Sequence, residues 1–267
     1  MKSCLIFSIF FLLFSNCFAD TKYKNCKIGE FNPSQISDCK LWLDSSDLET
    51  ITFRVGTDYV AEWDDKSGNG NNVVQASESL QPIYQSDVIN KLGMIDFDGS
   101  NDNIGGNITS EFATVFLVVK PNVVISTNSA TQPLLRIGYY QGLFLGSGTG
   151  TLDNELITVM LEGGDNPRSA WGATNDTINT NGHILVTSWN SEDVQYDIYY
   201  DGVLKTNLSN GTPYLKSMTA LFLGFSDSGA NFNGKFGEVI IYDRVLKEVE
   251  RLQVQKNLSK KWEINLN

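Results

Sequence analysis

Histidine is almost missing from this chain. His183 is the only one in 267 residues, and no Cys-x-x-Cys occurs. That excludes the usual zinc ligand sets. No Gly-x-Ser-x-Gly is present for a nucleophile elbow, and no Gly-x-x-x-x-Gly-Lys-Ser/Thr for a phosphate loop. Gly146-Ser-Gly-Thr-Gly150 is glycine-rich, but no helix signal follows it. Basic residues are also scarce, 20 against 31 acids, for a net charge of −11. Nucleic-acid surfaces are basic, so nucleic acid is excluded as a partner, and anionic membranes are disfavoured. Neutral glycans and calcium suit this balance.

Long apolar runs are missing too, apart from one. Lys2 precedes an apolar stretch from Cys4 to Phe14, and Cys17-Phe18-Ala19 offers a small residue before Asp20. Those are the three parts of a secretory signal over residues 1–19. The run is too short for a membrane span of about 20 residues, so the expectation is a secreted or cell-surface chain. Cleavage would remove Cys4 and Cys17 and leave Cys26 and Cys39. In an exported chain such a remaining pair predicts a disulfide. It would clip a lead-in, residues 20–40, to the domain that follows, residues 41–267. Asn-x-Ser/Thr occurs at Asn107, Asn175, Asn207, Asn210 and Asn257, acceptors only in a glycosylating host.

What the chain has in abundance is short β-branched and aromatic runs. They include Ala113–Val119, Leu134–Ile137, Leu156–Leu161, His183–Trp189, Tyr196–Tyr200, Ala220–Phe225 and Phe236–Tyr242. Clusters of Gly, Asn, Asp and Ser separate them, which is the punctuation of an all-β sandwich or barrel. Asp201-Gly202 signals a two-residue hairpin. One helix is expected, over residues 247–262. Val254, Leu258 and Trp262 share one face, and Lys256, Lys260 and Lys261 are expected to face away.

Several blocks together look familiar: Phe31–Ile36, Leu41–Leu48, Trp63-x-Asp65-x-Ser67-Gly-Asn-Gly-Asn71, Phe97-Asp98-Gly99-x-x-Asp102 and Phe232–Leu246. They resemble, in family order, the LamG-like jelly-roll domains of the concanavalin A-like lectin/glucanase superfamily. The resemblance implies two antiparallel sheets in a jelly-roll sandwich with a short C-terminal helix. It does not fix a function, which must come from the site. Many relatives carry an Asp near Gly237 that helps hold a structural calcium, and it is missing here. The usual Ser or Thr cap of the last helix is replaced by Lys247.

The stretch after Trp63 has two readings. Asp65 and Ser67 can accept hydrogen bonds from following backbone N–H groups, and Gly68 and Gly70 can take positive φ, which makes a compact turn. Alternatively, Asp65, Asn69 and Asn71, with Asp98 and Asp102, could offer the oxygens that calcium requires. A glycanase needs two carboxylates across the scissile bond. Asp96-Phe97-Asp98 is the nearest approach, with Asp98 better placed in the Asp98-Gly99 turn, so no catalytic residue is expected. His183 is expected to open a strand, with no partner visible for a base. Trp42, Trp63, Trp189 and Trp262 lie in apolar patterns and belong to the core. Trp171, Tyr139 and Tyr140 have polar or small neighbours and are the candidate sugar contacts. The functional expectation is therefore an exported, non-catalytic glycan- or surface-binding module. A structural or protein-interaction module of an envelope, coat or matrix is the alternative, and a glycan-active enzyme comes third.

Overall fold

The structure is a computed structural model. It describes residues 31–126, 129–137, 142–146, 157–160, 168–171, 177–190, 195–208, 219–225 and 230–267. Tyr139, Tyr140 and Cys26 lie outside them.

Chain order begins with β1 (Cys39–Asp44), β2 (Ile51–Phe53), β3 (Val60–Trp63), β4 (Val73–Val74), β5 (Ile83–Ile89), β6 (Leu92–Asp98) and β7 (Ile104–Gly106). Next come β8 (Thr114–Pro121), β9 (Ile125–Ser126), β10 (Gln132–Ile137), β11 (Gly142–Leu145), β12 (Ile157–Met160) and β13 (Arg168–Trp171). The rest are β14 (Thr177–Ile178), β15 (His183–Asn190), β16 (Gln195–Tyr200), β17 (Val203–Leu208), β18 (Leu221–Leu223), β19 (Asn233–Tyr242) and α1 (Glu248–Trp262). Two large antiparallel sheets result. One runs β17-β16-β15-β8-β19-β6-β5, and the other β13-β12-β11-β10-β18-β7-β4-β3-β2. The ten-residue β19 pairs β6 through its first half and β1 through its second. The Asp201-Gly202 hairpin forms between β16 and β17, both residues at positive φ (46° and 87°).

The fold is a β-sandwich. Inward residues of the first sheet (Leu43, Phe97, Leu117, Val239) meet those of the second (Val60, Trp63, Ile104, Leu223) in one core. Strand β8 is apolar on both faces because both are covered. Val115, Leu117 and Val119 enter the core. Phe116 and Val118 are also fully buried, on the opposite face by strand alternation.

Helix α1 attaches to that outer face. Val254, Leu258 and Trp262 are buried, each worth about 1.5–3 kcal/mol if its burial is complete. A Cβ at Gly237 would stand 2.9 Å from the Trp262 ring, so the close approach needs glycine. Lys256 and Lys260 are exposed as expected, but Lys261 is not free in solvent. It reaches back to Asp44 (2.6 Å) and Glu238 (2.8 Å). The Glu238 carboxylate also accepts from the indoles of Trp42 (2.8 Å) and Trp262 (2.9 Å). Burial pushes the Glu238 carboxyl up, against the Lys261 charge. Asp44 is pushed up by burial as well, but Lys261, Ser46 and Lys66 outweigh this and hold it below the carboxylate range. Sequence reasoning missed this anchor because a lysine's helical position does not reveal a buried acid on a distant strand. At the helix start, Lys247 offers no side-chain cap. Glu250 instead accepts from the Lys247 backbone N–H (2.9 Å) and pairs bidentately with Arg244 (2.7 and 2.8 Å).

Candidate functional site

The segment after Trp63 is a closed turn. Asp65 Oδ1 accepts from the backbone N–H of Trp42 (2.9 Å) and Ser67 (2.8 Å). Its Oδ2 accepts from Ser67 Oγ (2.7 Å) and the Asn71 N–H (3.0 Å). Asn69 Nδ2 donates to the Cys39 carbonyl (2.8 Å), and Asn71 Nδ2 to that of Lys40 (2.8 Å). Gly68 and Gly70 take φ of 90° and 73°, where a side chain would strain the chain. Trp63 is fully buried beneath. Polar residues stand against a tryptophan here because they tie the β3–β4 connection to the start of β1. Cys39 is a buried thiol with no disulfide partner among the described residues, its expected partner Cys26 lying outside them, and it donates to the Leu41 carbonyl. Burial, with the Asp65 charge, pushes it up to about 12.

The second loop behaves differently. Asp98 ends β6, and its Oδ1 accepts from the N–H groups of Ser100 (2.7 Å) and Asn101 (3.3 Å). Asp102 Oδ2 accepts from the Asp98 N–H (3.0 Å). Both acids line an open cleft of about 460 Å³ with Arg54, Tyr59, Glu78, Ser79, Gln81, Ile83 and Asn101. Three separate segments build it: the β2–β3 turn, the short helix Glu78–Leu80 leading into β5, and the turn after β6. Arg54 is held on the rim by Glu78 (3.3 Å) and lies 4.3 Å over the Tyr59 ring. Tyr59 is 37% exposed.

The cleft floor is short of hydrogen-bond donors. Gln81 is 4% exposed, and its Nε2 donates to the Gln75 carbonyl (2.8 Å). That bond fixes the amide orientation and leaves Oε1 buried with no donor among the described residues. Asp102 is 8% exposed. Burial, then the charges of Asp98 and Asp96, raise its carboxyl from 3.8 to about 6, against the Asp98 N–H.

Of the candidate oxygen ligands, Asp98 and Asp102 therefore come together. Asp65, Asn69 and Asn71 serve a different set of partners around β1. Among the described residues, no three His, Cys, Asp or Glu side chains are grouped as a metal site. Asp96, the other tempting acid, accepts from Gln85 and Asn122 and pairs with Lys235 (3.2 Å). Trp171 closes β13. His183 does open β15, but the expectation that it lacks a partner was wrong. Its Nδ1 lies 2.8 Å from Asp201 Oδ2, and its Nε2 is 3.2 Å from both the Tyr200 hydroxyl and the Asn179 carbonyl. Asp201 also accepts the Ile184 N–H (2.8 Å), so this buried chain locks the hairpin to β15. The partner was hidden because it arrives 18 residues later, through strand pairing.

Sequence reasoning reached Asp98 and Asp102 but missed Arg54, Tyr59 and Gln81. Their shared cleft exists only after β5 and β6 pair, and no single segment carries its signature.

No family model matches the chain, and no curated protein matches it. Solved structures do resemble it. A Trypanosoma rangeli sialidase in complex with sialic acid superposes with a TM-score of 0.53 at 14% identity, over 86% of this chain and 34% of that one. The binding domain of botulinum neurotoxin DC, in complex with rat synaptotagmin II, gives 0.54 at 10% identity, over 85% and 52%. A GH54 α-L-arabinofuranosidase soaked with 4-nitrophenyl α-L-arabinofuranoside gives 0.52 at 14% identity, over 76% and 51%. The chain thus spans between a third and about half of those proteins. At such identities the likeness is one of fold.

Proposed function

We propose that this chain is an exported, non-catalytic binding module of the LamG-like jelly-roll type, and that it takes a glycan or cell-surface component in the cleft. One observation carries the reading: an open cleft with an exposed tyrosine, lined by Gln81, whose Oε1 is buried with no donor among the described residues. A polar group buried without a partner is costly and calls for one from outside the chain, a ligand or an ordered water. The leader pattern of residues 1–19 supports export. The sialidase bound to sialic acid and the toxin domain bound to synaptotagmin II support a binding role for such a sandwich.

A small sugar buries little area, so a single site should bind in the millimolar range, about −4 kcal/mol. Display on a surface would add avidity. A glycan array probed with the mature chain, with calcium and with chelator, tests the reading. Binding to a defined glycan set, weakened by Tyr59→Ala with no change in melting temperature, is expected. A folded protein that binds nothing at high display density would move the assignment to a structural module.

Glycan hydrolysis is the second reading, and one observation favours it. Asp102 is a carboxyl held near pH 6 beside Asp98 in one cleft, the kind of environment that makes a general acid. Incubation with polysaccharides should release no reducing ends. Turnover abolished by Asp102→Asn would establish the enzyme instead.

A further inference from the structure

The cleft's unpaired charge is one-sided. Several of its side-chain donors are already engaged. Gln81 Nε2 serves Gln75, Asn101 Nδ2 serves the Ser79 carbonyl, and Arg54 serves Glu78. Its acceptors are not. Gln81 Oε1 has no donor, and no hydrogen bond reaches Asp98 Oδ2 or Asp102 Oδ1 among the described residues. Charge points the same way. Arg54 is matched by Glu78, whereas neither Asp98 nor Asp102 has an ion-pair partner among the described residues.

We propose that the cleft selects a sugar bearing a free, protonated amine. The inference rests on the glycan-binding reading and adds the ligand class to it. An ammonium group brings three donors, no acceptor and one positive charge, which is what Gln81 Oε1 and the two aspartates lack. Acetylation would remove the charge and add a carbonyl acceptor, which the two unpaired aspartates cannot receive. Sugars bearing carboxylates would meet two uncompensated aspartates. The volume of about 460 Å³ lies in the small-molecule range of roughly 300–1,000 Å³ and exceeds what one lysine side chain fills. Tyr59 at the rim offers an apolar face to the ring.

The test is calorimetric titration of the full mature chain with β-1,4-linked trimers of glucosamine, N-acetylglucosamine and glucose. The glucosamine trimer should bind about tenfold tighter than the other two, the worth of one good charged hydrogen bond. Asp98→Asn keeps an Oδ1 for the Ser100 and Asn101 N–H groups, so it should melt like the wild type. It should also bind all three trimers equally weakly. Should Asp98→Asn fail to fold, Gln81→Met, which removes the orphan acceptor without touching that turn, is expected to lose several-fold in glucosamine-trimer affinity. Equal wild-type binding of glucose and glucosamine trimers overturns the amine selection and leaves glycan binding standing. Preference for the acetylated trimer does the same. Binding of Nα-acetyl-lysine amide as tightly as the glucosamine trimer overturns the sugar requirement. No binding of any trimer, together with a blank glycan array, overturns both readings.

Discussion

Two turns of nearly the same composition have opposite fates in this molecule. The one after Trp63 and the one after Phe97 are both rich in Asp, Asn, Ser and Gly. In the first, both oxygens of Asp65 are taken by the chain's own donors, and the asparagine amides are spent on β1 carbonyls. In the second, Asp98 and Asp102 each keep an oxygen without a chain donor, beside the orphan acceptor of Gln81. Polarity by itself does not mark a site. A polar cluster whose bonds close on the chain is a fastening, and one whose bonds stay open is a place for a ligand.

Breaking the fastening should give the largest effect. Asp65→Ala strands three backbone N–H groups and a hydroxyl. It should cost about 3 kcal/mol in a denaturant titration, less than the four bonds summed because they act as a unit. The loss is expected to be the same with added calcium and with chelator. A loss seen only with calcium would make the turn a metal site.

The open turn should respond in the opposite direction. The carboxyl of folded Asp102 titrates near 6 against 3.8 for the free group. A raised folded value means that the stabilising contribution is full below about pH 4 and is lost as pH rises through about 6. Asp102→Asn retains an acceptor for the Asp98 N–H and removes the buried charge. At pH 7 it should therefore be more stable than wild type, by on the order of 1 kcal/mol, scaled down because the cleft is open to water. At pH 4 the difference should vanish. A variant less stable at pH 7 would mean that an unrecognised cation compensates Asp102.

Gln81→Met should change least. It removes the orphan Oε1 but also the donor to the Gln75 carbonyl. The two effects offset to within about 1 kcal/mol in thermal melts.

Much of the sandwich was legible in the sequence because the strands announce themselves locally. The runs at Leu134–Ile137 and His183–Trp189 became β10 and β15 with small changes at their ends, and the helix at 247–262 begins one residue later than expected. Strand β19 starts three residues before its apolar run, since Asn233 to Lys235 pair with β6 without needing apolar side chains. What local pattern could not show was pairing across distance. Lys261 finding Glu238, His183 finding Asp201, and Gln81 sharing a cleft with Asp102 all depend on strand register. The turn reading of Asp65 was legible because its partners Ser67 and Asn71 are close in sequence. The cleft was half legible, through its two aspartates, and its remaining residues carry no local signal.

The central claim is that the cleft, and not the turn after Trp63, meets the ligand. Backbone amide chemical-shift mapping during titration with the glucosamine trimer tests it most directly. The account predicts shifts confined to Arg54, Tyr59, Gln81 and the Asp98 to Asp102 turn, with the amides of Asp65 to Asn71 unmoved. Shifts centred on Asp65 to Asn71, with the cleft amides silent, would contradict it.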